Sequence, residues 1–263
     1  MTGFVEARGH RLEFEKLDPA MPAPRGSPAL VFLHEGLGSV ALWKDFPRQL
    51  VNATGCSAMV YSRCGYGRSA RLTAPRTVDY MHREALEVLP EVLSKLGIVE
   101  PLLVGHSDGA SIALIHAARH PVRGLVAMAP HVFVEDLTVE SIAQAKIAFE
   151  TTNLAARLGR YHDDVESAFR GWNDIWLHPD FRGWNIEVCL PHIHCPVLLI
   201  QGEDDQYGTI AQTDAIARQV SGPVDTVILA GCAHSPHVDQ AAATLEAITA
   251  FVRTLPAAQS MVG

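Results

Sequence analysis

The chain has 263 residues, 48% of them hydrophobic and 19% charged, a globular balance that suits one large domain or a domain carrying an insertion. A formal net charge of -8, with no cluster of Lys and Arg, argues against a nucleic-acid partner. No run approaches the roughly 18 apolar residues that a membrane helix needs, so no membrane partner is expected.

The opening MTGFVEARGHRLEFEKL has neither the basic stretch nor the apolar core of a signal peptide. Five cysteines (Cys56, Cys64, Cys189, Cys195 and Cys232) form no CxxC pair. The expectation is a reduced, cytoplasmic protein. From Phe4 to Leu17 polar and apolar residues alternate, which predicts edge strands or a hairpin. The Pro-rich DPAMPAPRGSPA (18–29) predicts a loop. Continuous apolar runs follow at LVFLH (30–34), AMVYS (58–62), PLLVG (101–105), GLVAMA (124–129), PVLLI (196–200) and DTVILA (225–230). Such runs suit strands covered on both faces, as in a parallel sheet.

Helical spacing lies between these runs. Met81, Ala85, Val88, Leu89, Val92 and Leu96 predict a helix from Tyr80 to Leu96 that is capped by Gly97. Further helices are expected at Ala110 to Arg119, Ile210 to Val220 and Ala241 to Val252. The ending RTLPAAQSMVG (253–263) reads as a frayed tail. Strand and helix in alternation predict an α/β fold, a mostly parallel twisted sheet flanked by helices. Between Met128 and Val197 the rhythm breaks, and more than sixty residues hold no convincing strand. Two helical patterns stand there. One of them places Val165, Phe169, Trp172 and Trp176 on one face. The expected organisation is a core of residues 1–130 and 196–263 with a helical cap, residues 131–195, inserted over a pocket. Most of its aromatics are expected to form the cap's own small core, with Trp172 and Trp176 as candidates to face a ligand.

LLVGHSDGAS (102–111) carries the chemistry. A strand ends at Gly105 and a helix begins within a few residues, so Ser107 must sit on a tight, strained turn. Only small residues fit two positions before and after it, hence Gly105 and Gly109. This is the G-x-S-x-G nucleophile elbow. A serine hydroxyl needs a base. Of thirteen histidines, His234 lies in LAGCAHSPH just after the last strand and can reach the same rim as Ser107. His237 is its local rival. The base needs an orienting carboxylate, and Glu203, Asp204 and Asp205 all follow the penultimate strand. The negative oxygen of a tetrahedral intermediate needs two backbone donors. Asp108 is one candidate. Gly36 in HEGLGS (34–39) is the other, with Leu37 as its alternative. Glu35 would oppose an oxyanion if unpaired. It is expected to turn away toward a cation such as Arg63 or toward backbone, or else to recognise a substrate hydroxyl or position a water. The Asp108 side chain is expected to point away from the reacting carbon. His131 and His106 are further pocket candidates. HIHC (192–195) with Cys189 lacks a second cluster at a usual spacing, so no metal site is expected.

These segments together resemble the α/β-hydrolase superfamily, from LVFLHEGLGS through VYSRCGYGRS and LLVGHSDGAS to LLIQGEDDQYG and AGCAHSPH. SRCGYGRS is similar to the family's D-x-R-G-x-G-x-S turn, with Ser62 in the aspartate position. In the family the triad acid often stands three positions after a glycine that follows the penultimate strand. The resemblance thereby implies Asp205, three after Gly202. HEG departs from the commoner HG at Glu35. Family members with an aspartate nucleophile, such as dehalogenases and epoxide hydrolases, are disfavoured by Ser107.

The resemblance implies a serine hydrolase that cleaves a small carboxylic ester, lactone or thioester through an acyl-enzyme, without a cofactor. The substrate is expected to be a small acyl or aromatic molecule. One alternative is a C–C bond hydrolase acting on a vinylogous diketone, which would need a basic cap residue for the substrate carboxylate (Arg157, Arg160, Arg170 or Arg182). The other is a ligand-binding protein that does not turn over. Oligomeric state, a homodimer included, is open.

Overall fold

The computed structural model describes residues 1–23 and 26–255. Its strands are β1 (Thr2–Ala7), β2 (His10–Leu17), β3 (Leu30–Leu33), β4 (Ala58–Tyr61), β5 (Leu102–His106), β6 (Gly124–Met128), β7 (Val197–Gly202) and β8 (Val224–Leu229). They form one sheet in the order β1-β2-β4-β3-β5-β6-β7-β8. The β1–β2 hairpin and the β2–β4 pair are antiparallel, and all other pairs are parallel.

Side chains alternate across a strand, and the core divides accordingly. Leu30, Phe32, Leu102, Val104, Val126, Met128, Leu198 and Ile200 pack on one face with helices α1 (Phe46–Thr54) and α10 (Ala241–Thr254). Val31, Leu33, Leu103, Leu125, Ala127 and Leu199 join a cluster on the other face. That face is covered by α2 (Tyr80–Arg83), α3 (Leu89–Leu96), α4 (Asp108–Ala117) and α8 (Ile210–Gln219). Between β6 and β7 lie α5 (Asp136–Thr151), α6 (Leu154–Leu158), α7 (Val165–Trp176) and two 3-10 turns, Pro179–Gly183 and Glu187–His192. A short α9 (Pro236–Asp239) follows β8.

Several expectations need correcting. The edge strand β8 is not covered on both faces, because Asp225, Thr226 and Ile228 are exposed. Among the described residues nothing pairs beyond it in the sheet. The expected helix from Tyr80 to Leu96 is interrupted by a π-helical stretch, Glu84–Val88. Gly97 does cap it, with φ 69°. Helix α4 starts at Asp108, directly after the serine, rather than at Ala110. The Pro-rich loop falls partly, and the tail beyond Leu255 wholly, outside the described residues.

Candidate active site

The parallel strands bring their C-terminal ends to one rim, where loops from different strands meet. Ser107 stands between β5 and α4 with φ 52° and ψ -119°, a conformation costly for any residue with a Cβ. The surrounding glycines permit it. A Cβ at Gly105 would lie 2.6 Å from the Ala110 Cα, and one at Gly109 would overlap the Leu33 carbonyl. The Ser107 amide donates to the Met128 carbonyl at 2.9 Å, which pins the turn to β6.

Ser107 Oγ lies 2.9 Å from His234 Nε2, and His234 Nδ1 lies 2.9 Å from both oxygens of Asp205. With Nδ1–H donating to the carboxylate, Nε2 is left as an acceptor for the serine hydroxyl. Asp205 is fixed in turn. Its Oδ2 accepts from Gln201 Nε2 at 2.8 Å, and its Oδ1 accepts from the Tyr207 and Gly208 amides at 2.7 and 3.3 Å. Burial pushes the Asp205 pKa up, but the hydrogen bond and charge of His234 outweigh it and bring the carboxyl down to about 2. Glu203 and Asp204 are exposed. Gly202 lets the two loops touch, since a Cβ there would overlap the Cys232 and Ala233 carbonyls. His237 is buried between Trp43, Phe46 and His106, away from this chain of hydrogen bonds.

A cavity of about 100 Å³ opens on Ser107. It is lined by Glu35, Gly36 and Leu37 from the loop after β3, by Ser107 and Asp108, and by His131, Tyr207 and His234 from other strand ends. Thr138 and Ile142 of α5 and Trp172 and Trp176 of α7 close it from the segment between β6 and β7. Gly36 packs against the Trp172 indole so closely that a Cβ would overlap the ring. Asp108 opens α4, so its amide has no acceptor within the helix. The Asp108 carboxylate points into the protein, where it accepts from Tyr80 Oη at 2.7 Å and Trp176 Nε1 at 3.2 Å, with Arg63 at 3.8 Å.

Two placements correct the sequence reading. Arg63 donates to the His34 and Glu35 carbonyls rather than to the Glu35 carboxylate. That carboxylate instead stands 3.5 Å from His106 Nδ1. His106 is not on the cavity lining: it is buried behind Glu35 and His234, and its Nε2–H donates to the His234 carbonyl at 2.7 Å. His131 does line the cavity. Burial and the nearby His234 charge lower its pKa, and its Nε2–H donates to the Tyr207 carbonyl at 3.1 Å.

Sequence reasoning missed Thr138, Ile142 and Tyr207. Tyr207, whose ring centroid is 4.7 Å from that of His234, follows the acid by two positions, which could have marked it. Thr138 and Ile142 lie one helical turn apart on α5, and only the fold brings them to Ser107. Among the described residues no group of three His, Cys, Asp or Glu is arranged to hold a metal ion. No helix among them is long and apolar enough to cross a membrane.

The family model of the alpha/beta hydrolase family matches residues 30–247. Serine hydrolase BPHL of Homo sapiens is 27% identical over 206 residues, which cover 75% of this chain and 70% of that protein. The sn-1-specific diacylglycerol lipase ABHD11 of Mus musculus is 31% identical over 94 residues, 36% of this chain and 29% of that protein. The match thus spans under a third of that lipase. Among solved structures, proline iminopeptidase from Mycobacterium smegmatis superposes with a TM-score of 0.77 at 18% identity, over 96% of this chain and 98% of that one.

Proposed function

Because the chain belongs to the alpha/beta hydrolase family, we propose that it is a serine hydrolase cleaving a small carboxylic ester, lactone or thioester through an acyl-enzyme on Ser107. The observation that carries this reading is the continuous hydrogen-bonded chain Ser107–His234–Asp205, at 2.9 Å for each link, on a serine held at positive φ. Similarity to a serine hydrolase over most of the chain supports it.

In this reading Ser107 Oγ attacks the substrate carbonyl while His234 Nε2 takes its proton. Asp205 holds the imidazole in the required tautomer and stabilises the imidazolium. The Asp108 and Gly36 amides receive the developing negative oxygen, with Leu37 the alternative to Gly36. His234 then returns its proton to the leaving group, and a water deprotonated by His234 cleaves the acyl-enzyme. Residues 131–195 act as a cap whose Trp172, Trp176, Thr138 and Ile142 shape the acyl pocket. The cavity's size and largely apolar walls favour a short acyl or aryl group. Five free thiols support a reduced, cytoplasmic setting.

The C–C hydrolase alternative needs a cation at the substrate carboxylate, and none of Arg157, Arg160, Arg170 or Arg182 lines the cavity. Arg170 is engaged with Glu150 and Glu166, and Arg182 with Asp136. The ester reading is therefore preferred.

Fluorophosphonate labelling with mass-spectrometric mapping tests it. Label on Ser107 that is lost in Ser107→Ala and in His234→Ala is the expected result. Absence of label on folded wild-type protein would overturn the serine-hydrolase reading.

A further inference from the structure

Glu35 is an awkward residue for an oxyanion loop. It directly precedes Gly36 and lines the same cavity as Ser107, and about a quarter of its side chain remains accessible. An unpaired carboxylate there would repel the negative oxygen that the loop is built to receive. The structure places its compensation out of substrate reach, on His106.

The atoms restrict where the protons lie. The His234 carbonyl can only accept, so His106 Nε2, at 2.7 Å from it, carries a proton. His106 Nδ1 faces Glu35 Oε2 at 3.5 Å. A lone pair opposite a carboxylate oxygen would be repulsive, so a second proton belongs in this contact. The remaining surroundings of His106 are the rings of His237 at 4.8 Å, His234 at 5.2 Å and Trp43 at 6.3 Å, with Asp205 beyond His234. Among these neighbours Glu35 and Asp205 are the anions, and Glu35 is in direct contact. His237 is held neutral, its pKa lowered to about 3 by burial and by the charge of His106. Burial alone would lower the His106 pKa, but the charge of Glu35 beside it raises it above the ordinary value. The charge of His106 brings Glu35 well below the carboxylate range despite its partial burial.

The turn is shaped for this contact. The Gly38 amide closes it on the Glu35 carbonyl at 3.1 Å. A Cβ at Gly38 would overlap the Glu35 carboxylate, which folds back across that glycine. The second glycine of HEGLGS thus leaves room for the carboxylate.

We propose that Glu35 and His106 form a positioning pair that ties the oxyanion loop to the His234 loop and neutralises the carboxylate beside the oxyanion. His106, as imidazolium, donates Nε2–H to the His234 carbonyl and sets its positive charge 3.5 Å from the Glu35 carboxylate, an ion pair with no hydrogen bond at Nδ1. It touches no substrate and acts through the two loops that do. The catalytic consequence rests on the serine-hydrolase reading above, whereas the charge state of the pair does not.

The test combines an activity cycle with a readout independent of turnover. His106→Gln keeps a donor for the His234 carbonyl but leaves Glu35 charged and unmatched. It is expected to lower kcat by about 10- to 100-fold with little change in KM, as an uncompensated nearby charge would. Adding Glu35→Gln to that variant removes the charge and is expected to recover about tenfold or more of kcat. A structural role alone would make the double variant no better than His106→Gln. Such a result, in folded protein whose Ser107 still takes a fluorophosphonate, would overturn the proposal. Nitrogen-15 NMR of the wild-type histidines gives the second readout. Both His106 ring nitrogens are expected to be protonated at pH 7, and Glu35→Gln is expected to return His106 to the Nε2–H neutral form. A neutral His106 in wild-type protein at pH 7 would overturn the proposal even if the variants fail to fold. Failure of wild-type protein to label would instead remove the hydrolase reading, and the NMR result alone would then decide the pair.

Discussion

Ser107 is held at φ 52° because its neighbours allow no relaxation. The same over-determination extends to Asp205, which accepts hydrogen bonds from Gln201, the Tyr207 and Gly208 amides and His234. A carboxylate so supplied with donors stays ionised throughout the neutral range, consistent with its pKa near 2. Replacing it with asparagine preserves the volume but offers an amide that can turn its NH2 toward His234. The imidazole would then favour the tautomer with the proton on Nε2, where it cannot accept from Ser107. Asp205→Asn is expected to lower kcat by about 10³-fold or more with KM nearly unchanged. Steady-state kinetics on a short acyl ester check this. A loss under tenfold would mean that another group orients His234. At this scale the sequence was informative where chemistry requires a local pattern. Ser107 and its glycines form a contiguous motif, and His234 follows a strand end. The Glu35–His106 pair has no such signature, since its members are separated by 71 positions and meet only through the adjacent strands β3 and β5.

Helix α7 carries two of the site's walls and one of its ties. Its Val165, Phe169, Trp172 and Trp176 share a face, as the spacing predicts. Phe169 stacks on Phe149 of α5 with centroids 3.8 Å apart, while Trp172 and Trp176 reach the cavity. The Trp176 indole N–H donates to buried Asp108 Oδ1 at 3.2 Å, joining the segment between β6 and β7 to the residue after Ser107. Trp176→Phe keeps most of the apolar surface and removes that donor. A hydrogen bond to a buried charged acceptor contributes about 1.5–3 kcal/mol, so a stability loss in that range is expected from urea denaturation at constant m-value. A loss below ~0.5 kcal/mol would show that the Asp108 carboxylate is satisfied by Tyr80 and Arg63 without the helix. The elements themselves were largely legible, because buried parallel strands appear as unbroken apolar runs. The less legible parts are those in which tertiary packing overrides local pattern. Buried Glu84 opens the π-helical stretch and meets its partner, Arg76 from a preceding loop, at 3.8 Å, a pairing that no local pattern announces. Ser62, where the family turn more often has aspartate, donates to the Glu13 carboxylate of β2 at 2.9 Å, so the negative charge reaches that turn from another strand.

Across the whole molecule, histidines are buried on both sides of the sheet, and most are held neutral. His116 is packed against the π-helical stretch, its Nδ1–H donating to the Ala85 carbonyl, and burial brings its pKa down to about 4. His237 is brought down to about 3. Burial likewise lowers His34, His131 and His162. His162 fixes the segment between β6 and β7 to the loops after β3 and β4: its Nδ1 accepts from the Gly67 amide and its Nε2–H donates to the Leu37 carbonyl, both at 2.9 Å. That arrangement requires the neutral ring. Each of these groups takes up a proton in the unfolded chain near pH 6.5, but in the folded chain only at lower pH. The unfolded state therefore binds more protons below 6.5, and stability falls as pH falls. His106 has the opposite sign, because its raised pKa contributes stability below 6.5 that is lost as pH rises. With His82 also lowered by burial, it is one group against six. Reduction of the net charge of -8 on acidification also works the other way, until the charge passes zero. At pH 4.5, His116 and His237 should each contribute a loss on the order of 2 kcal/mol. Urea midpoints are therefore expected to drop between pH 7.5 and 4.5, and His116→Gln is expected to flatten the profile while lowering stability at pH 7.5. A midpoint that holds steady or rises over this interval would mean either that the change in net charge outweighs these rings or that they are protonated in the native state, and for His162 the Gly67 amide donor does not allow the latter.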